Sequence, residues 1–515
     1  MYDIAIVGSG FAGSLLAMIA RRLGHSVMLI ERGKHPRVVI GESSTPLTNL
    51  LFEELTTRYD LPVLRPLAKW GSWQRTHPQI GCGLKRGFTF YHHSLDNPRT
   101  SSPTRNDQLL VAASPRDEIS DTHWYRADFD YLFVREAQRM GVEYLDETNL
   151  TDLRESDHDV RLAGTRLNDE ISISAKFIVD ASGPRGFLHR ALGLEEIELP
   201  QFPATQALYS HFSNVGRLAD SQFGQSEEQT PYPVDDAAVH HVFDGGWIWV
   251  LQFNNGITSA GIAAVDSLAE RLKLTAGEDS WNRIVQSIPA LAHQFAAAKA
   301  ERPFTRIPRL SFHSDKVAGK RWALLPSAAG FIDPLLSTGF PLTLLGVDRL
   351  AKIIENDWNT SNFEMQLMAY ASKTDAELVA TGHLIGSLYA TMRDFPLFVS
   401  LSLMYFAAAS FSETARRLGK HYLAPGFLLH DDPVFGPALA RFCERARRIR
   451  TRQESAELSM DILRAIEPFN VAGLGKPQRR NWYPVDPQDL VDSAAKFKAS
   501  PEDMVRLLEH CGFHR

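Results

Sequence analysis

Three glycines near the start of the chain constrain the fold more than any other feature. In DIAIVGSGFAGSLLAMIARRLGHSVMLIER, an apolar run (Ile4 to Val7) leads into Gly8, Gly10 and Gly13. A helical pattern (Ala12 to Leu23) follows, then a second apolar run (Ser26 to Ile30) closed by Glu31. Strand, glycine turn, helix and strand make a βαβ unit, the opening of a Rossmann-type α/β domain. Gly8 permits the tight turn, Gly10 lets the backbone approach a pyrophosphate, and Gly13 lets the helix pack on the strand. Phosphate charge then rests on the helix N-terminus, where N–H groups and the macrodipole are free. Glu31 lies 21 positions after Gly10, where a carboxylate accepts hydrogen bonds from ribose hydroxyls.

Such a unit fills only a small part of 515 residues; at about 100 to 200 residues per domain, two to four units are expected. With 44% apolar and 23% charged residues, the composition excludes collagen-like, low-complexity and disordered chains. The 55 basic and 61 acidic residues give a net charge of -6 with no block of one sign, so nucleic acid is not an expected partner. Cys82, Cys443 and Cys511 are far apart; no zinc or redox-pair spacing arises, no metal site is expected, and a reducing compartment is implied. The N-terminus shows no secretion-signal pattern, and a cytoplasmic location is expected. The uncharged stretch from Pro396 to Ser412 is marginal for a bilayer span and reads as a buried helix, with an exposed docking face as the alternative. No obligatory membrane association is expected.

Further along, a helix is expected from Ala127 to Met140, with Gly141 as its C-cap, and a surface loop over His93 to Asp107. Alternating runs such as WIWVLQF and TSAGIAA place a sheet packed beside the nucleotide domain at about residues 201–300. The expected organisation is a nucleotide domain with this interleaved sheet over residues 1–350, and a helical region over 351–515. No catalytic residue is assigned to the latter.

GSGFAG, then DASG (Asp180 to Gly183), then AAGFIDPLLSTG, in that order, resemble the flavoprotein monooxygenase fold and, more narrowly, the flavin-dependent halogenases of the phenol and pyrrole type. The resemblance implies a glutathione-reductase-like FAD domain, with the sheet at about residues 201–300 as its adjoining substrate-side sheet and a helical C-terminal region. GESSTP (Gly41 to Pro46) looks like the turn that lies along the flavin, bringing in Glu42 and Ser43, and Arg32 is counted with Glu31 on the cofactor side. GGWIWVLQF is similar to the halogenase GWxWxIP, with Trp247 and Trp249 as its tryptophans and Leu251 and Gln252 departing from it; an ordinary buried aromatic pair is the alternative. IDPLLSTG resembles the halide-holding segment, which assigns Ser337, Thr338 and Gly339 to a halide ion. Lys85 in KRGFTFYHH fits the position of the halogenase lysine, with Lys69 in KWGSW as the alternative. Arg126 resembles the arginine near the flavin ring, and Asp180, Gly183 and Asp333 are further flavin-side contacts.

By that resemblance, reduced FAD, dioxygen and halide yield hypohalous acid, which the lysine relays to an electron-rich aromatic substrate, free or carrier-bound. Leu336 stands where the tryptophan-halogenating branch carries a glutamate, which points toward a phenol or pyrrole. Only one nucleotide fingerprint stands in the sequence, as also in single-component hydroxylases; it is the resemblance that implies a separate flavin reductase as partner, and a homodimer is possible. The fold's usual GDAAG reads PSAAG here, Pro326 and Ser327 replacing Gly and Asp. An aromatic hydroxylase of the same fold and a degenerate flavin-binding protein are therefore carried as alternatives.

Overall fold

The computed structural model describes residues 1–98, 103–226 and 228–513. Strand Tyr2–Val7, helix Phe11–Arg22 and strand Val27–Ile30 form the expected βαβ unit. The first strand runs parallel to Val27–Ile30 on one side and to the end of Asp169–Asp180 on the other. Asp169–Asp180 has two jobs along its length. Its first half pairs antiparallel with Val160–Arg166, and its last residues pair parallel with Tyr2–Val7 and Trp322–Leu324. The turns that follow Val7, Asp180 and Leu324 therefore lie together at the carboxyl ends of the parallel strands, the usual ligand crevice of such sheets.

A second, nine-stranded sheet runs Lys299–Ala300, Thr205–Ser213, Ile257–Val265, Gly246–Gln252, Ala238–Phe243, Gly87–His92, Gln108–Ala112 and Trp482–Tyr483, with Thr305–Ile307 also on Thr205–Ser213. It extends beyond the expected 201–300 span. The reason is parallel pairing of Ala238–Phe243 with Gly87–His92, joining segments far apart in sequence. The boundary expected at residue 350 falls inside helix Gly339–Asp357. One hydrophobic core joins Ile4 and Leu29 of the first sheet to Leu350, Leu388, Leu401 and Phe497 of the helical region, so the two parts are packed as one body.

The expected helix is found at Arg126–Arg139. The apolar stretch forms helix Phe395–Arg417, long and apolar enough to cross a membrane, yet 83% of its most apolar window is buried inside the fold. Asp394 caps it by accepting the Leu397 N–H, and Ser400, Ser402 and Ser410 return their hydroxyls to backbone carbonyls within the helix. That explains how an apolar core helix tolerates serines. Of the expected surface loop, residues 99–102 lie outside the described residues.

Candidate active site

The glycine turn leaves no room for side chains. Gly8 has φ +101°, and a Cβ there would lie 2.5 Å from the Ala181 carbonyl oxygen; at Gly13 it would lie 2.0 Å from that of Gly8. Gly10 is the N-cap of helix Phe11–Arg22, whose first turn carries no acidic residue. The helix N-terminus opens on a cavity of about 530 Å³ that also reaches Arg126, Gly183, Trp247 and Thr338.

Glu31 is buried at the end of its strand and accepts hydrogen bonds from the Ser9 N–H and hydroxyl, the Gly33 N–H and the Arg37 guanidinium. Burial pushes its carboxyl up, but Arg37 and these donors outweigh that and hold it below the ordinary range. Arg32 is not part of this arrangement. It is exposed and is absent from the cavity wall, whereas Arg37 is on it. The chain turns back after Gly33, so the residue next to Glu31 faces solvent and the one six positions on faces the cavity.

Arg126 begins its helix with both guanidinium edges engaged. Nε and Nη2 donate to the Asp130 carboxylate at 2.8 Å each, and Nη1 donates to the Gly41 carbonyl at 2.9 Å. Asp180 stands differently from the expected flavin contact. Its carboxylate accepts from the Ser182 N–H and hydroxyl and the Leu188 N–H, while Ala181 to Arg185, including Gly183 at φ +89°, face the cavity. Asp180 therefore shapes the turn from behind. Glu42 is buried and accepts from His211 Nε2 at 2.9 Å. Pro326 starts the short helix Pro326–Ala329, a position where its missing N–H costs nothing. Half-buried Ser327 turns toward the cavity with it.

The segment Leu335 to Gly339 bends sharply: Leu336 (φ 63°) and Ser337 (φ 55°) are both left-handed, a conformation costing on the order of 1–3 kcal/mol at each such residue. It delivers Thr338 and Gly339 to the start of the nineteen-residue helix Gly339–Asp357, at the cavity wall. A Cβ on Gly339 would meet nothing within 4 Å. The first N–H groups of a helix have no acceptor within it, so this end can hold a small anion. The Leu336 side chain is fully buried and brings no charge.

Trp247 and Trp249 alternate on strand Gly246–Gln252, ring centroids 5.6 Å apart. The Trp247 indole N–H lies 2.9 Å from the Tyr389 hydroxyl and 3.2 Å from Asp333 Oδ1, and Tyr389 donates to Asp333 Oδ2 at 2.8 Å. With the Leu335 N–H also on Asp333, this acid fixes a tryptophan and the start of the bend. Burial raises its carboxyl from 3.8 to about 7, against the Leu335 N–H, Tyr389 and Trp247, which favour the ionised form. The folded chain then keeps a proton here that the unfolded chain releases between roughly pH 4 and 7, so this contribution to stability is complete below that window and is lost as pH rises through it. Asp333→Asn is expected to abolish that loss. Unfolding midpoints of the two proteins should diverge from pH 4 to 7, and parallel curves would show an acid ionised throughout.

Lys85 is fully buried on strand Cys82–Lys85. Its Nζ donates to Ser43 Oγ at 2.9 Å and to the Ser44 carbonyl at 2.5 Å, and lies 3.8 Å from the Phe88 ring centroid. Burial drives its ammonium far below the ordinary lysine range, with the Asp121 carboxylate opposing that shift. Ser43 lines the first cavity. Phe88 and Asp121 line a second, of about 180 Å³, closed by Tyr405 and Phe406 of the apolar helix and by Leu474 and Leu507 beyond it. The Lys85 nitrogen thus lies in the partition between the two cavities. Lys69 sits half-buried on the far side, on the second cavity wall and that of a neighbouring polar groove.

Comparison with known proteins now gives this arrangement a family. A family model described as tryptophan halogenase matches residues 107–400, and one for an NAD(P)-binding Rossmann-like domain matches residues 6–45. The chain belongs to the tryptophan halogenase family. This halogenase is 28% identical over 419 residues to tetracycline 7-halogenase of Kitasatospora aureofaciens, spanning 79% of this chain and 73% of that one. It is 27% identical over 403 residues to monodechloroaminopyrrolnitrin halogenase PrnC of Pseudomonas fluorescens, spanning 77% and 69%. The crystal structure of halogenase PltM with phloroglucinol and FAD shares its fold, with TM-score 0.84 at 24% identity over 93% of this chain and 99% of that one. The halogenase is an oxidoreductase of the flavin-dependent kind with FAD as its cofactor. The glycine cradle, which a single Cβ would fill, and the unblocked helix end above it fit the pyrophosphate of that group.

Tyr405 and Phe406 lie in the apolar Pro396 to Ser412 stretch, whereas Asp121 and Tyr389 are not marked by any sequence motif. Asp121 reaches Lys85 only through strand register, and Tyr389 comes from a helix 56 positions past Asp333. Neither distance leaves a local signal.

Proposed function

We propose that this halogenase is the second half of a two-component system, in which a separate flavin reductase supplies reduced FAD and the substrate is an electron-rich ring, a phenol or pyrrole rather than free tryptophan. The single observation carrying this reading is the position of Lys85, with Ser43 of the first cavity on one side and Phe88 and Asp121 of the second on the other. When bound, FAD supplies the electrons that activate dioxygen. Gly8, Gly10, Gly13 and Glu31 hold its adenosine and pyrophosphate end, with Arg126, Ser43 and Gly183 toward the ring. Thr338 and Gly339 present N–H groups to the halide, with Ser337 setting the bend, and Trp247 and Trp249 exclude water from the same space. Hypohalous acid formed there meets Lys85, whose depressed basicity leaves an amine able to take the halogen and release water. Transfer of that halogen to a ring carbon regenerates the amine.

Leu336 supports the preference against free tryptophan, since a buried apolar side chain stands where the tryptophan-halogenating branch carries a glutamate. The PltM complex with phloroglucinol, a phenol, agrees with it. A substrate free or carrier-bound, a cytoplasmic location and a homodimer belong to the same reading.

The test is a mass-spectrometric assay of the protein with FAD, a separate reductase, NADH and bromide against phenols, pyrroles and indoles. A bromine mass shift in phenols or pyrroles, dependent on bromide and on the reductase, is expected. An oxygenated product formed without halide would make the chain a hydroxylase, and reduction of bound flavin by NADPH alone would remove the reductase from the scheme.

A further inference from the structure

The wall of the second cavity nearest Lys85 carries two acceptors with no donor. Asp121 stands directly opposite Lys85 in the pairing of strands Cys82–Lys85 and Asp121–Trp124, and is 6% exposed. Its Oδ1 accepts from Asn49 Nδ2 at 2.8 Å. Among the described residues, Asp121 Oδ2 and Asn49 Oδ1 have no hydrogen-bond partner, and both residues line the cavity. The other charged groups acting on Asp121 are Glu413 and Arg417, which are paired with each other at 2.8 Å. Around them the wall is apolar or aromatic, with Phe88, Tyr405, Phe406 and Leu474. A buried carboxylate oxygen is costly without a donor, and beside a cavity a ligand's O–H or N–H can supply one.

We infer that Asp121 is a catalytic residue that accepts the ring O–H or N–H of the substrate and so selects aromatic rings bearing such a donor. The inference rests on the halogenase reading above. A ring held in this way lies against the partition, with its activated carbon toward the Lys85 nitrogen. As the carbon–halogen bond forms from the ring electrons, the nitrogen–halogen bond breaks and its electron pair stays on the Lys85 nitrogen. The ring O–H proton passes to Asp121 Oδ2 and from there to that nitrogen, restoring the amine. The proton on the halogenated carbon then moves to the ring oxygen, which restores aromaticity. Removing the O–H proton as the carbon is attacked makes the ring phenolate-like at the moment its electrons are needed. Asn49 holds the carboxylate in place and offers Oδ1 to a second donor on the ring.

The probes are resorcinol and 1,3-dimethoxybenzene, rings of similar electron richness of which only the first donates. Wild type should halogenate resorcinol about 100-fold faster than its dimethyl ether, a factor within the range of general-base catalysis. In Asp121→Asn that ratio should fall toward one, and Asp121→Glu should recover part of it. A lysine disturbed by the substitution would slow both rings together, so the ratio isolates the donor contact. Calorimetric titration of the oxidised, FAD-loaded protein gives a second readout that needs no turnover. Wild type should bind resorcinol at least about 10-fold more tightly than the ether, the scale of one charge-assisted hydrogen bond, and Asp121→Asn should not. An Asp121→Asn protein that folds, retains FAD and keeps the wild-type ratios in both experiments would overturn the assignment. If wild type halogenates neither ring, the halogenase reading fails on its own and the binding ratio still decides whether Asp121 recognises the donor.

Discussion

Lys85→Met is expected to lose aromatic halogenation by about 10³-fold, as for removal of an essential nucleophilic or acid–base group, while NADH consumption and halide-dependent oxidant production continue. The two activities separate because Lys85 does not itself line the flavin cavity and meets its wall through a hydrogen bond to the Ser43 hydroxyl. The substitution should not unfold the protein. A buried ammonium is expensive to desolvate, and an apolar side chain of similar length removes that expense, with Asp121 free to take up a proton. Product would be measured by mass spectrometry, and oxidant by a diffusible trap in the same reaction. Retained product in Lys85→Met together with loss in Lys69→Met would transfer the relay to Lys69.

A change of one methyl group should be as damaging by a different route. Gly13→Ala places a Cβ 2.0 Å from the Gly8 carbonyl oxygen and 3.0 Å from the Ala181 side chain. The first of these belongs to the turn itself and cannot rotate away. Relief requires helix Phe11–Arg22 to lift from strand Tyr2–Val7, which costs about 3 kcal/mol at the upper end of overpacking effects and tilts the helix end away from the pyrophosphate. The purified variant should retain little FAD and unfold several degrees lower, the scale expected for such a loss. Normal flavin content with an unchanged midpoint would show that the turn has more give than its contacts imply.

These two residues also mark what a sequence reader can and cannot obtain. Gly13 is legible because its cause is local: turn, helix and strand follow within thirty residues, and each needs a particular residue type. Helix Arg126–Arg139 and the Trp247–Trp249 alternation are legible for the same reason, as their periodicities are written in adjacent residues. Lys85 could be picked out by resemblance, but its place in a partition depends on the register that sets it opposite Asp121. No spacing encodes that register. Arg32, expected on the cofactor side, faces solvent, because the chain reverses after Gly33 and brings Arg37 to Glu31 instead. Asp333 kept its place near the cavity, yet its oxygens are taken by Trp247, Leu335 and Tyr389, the last supplied by a helix assigned no role.

Among the described residues, none beyond Leu378 lines the flavin cavity, whereas much of the second cavity comes from the apolar helix and from residues 471–513. The walls of the two cavities are thus drawn largely from separate stretches of one gene product. On the proposed reading, lineages descended from such a chain would explore new substrates through mutations in its last quarter and inherit the oxidant chemistry intact.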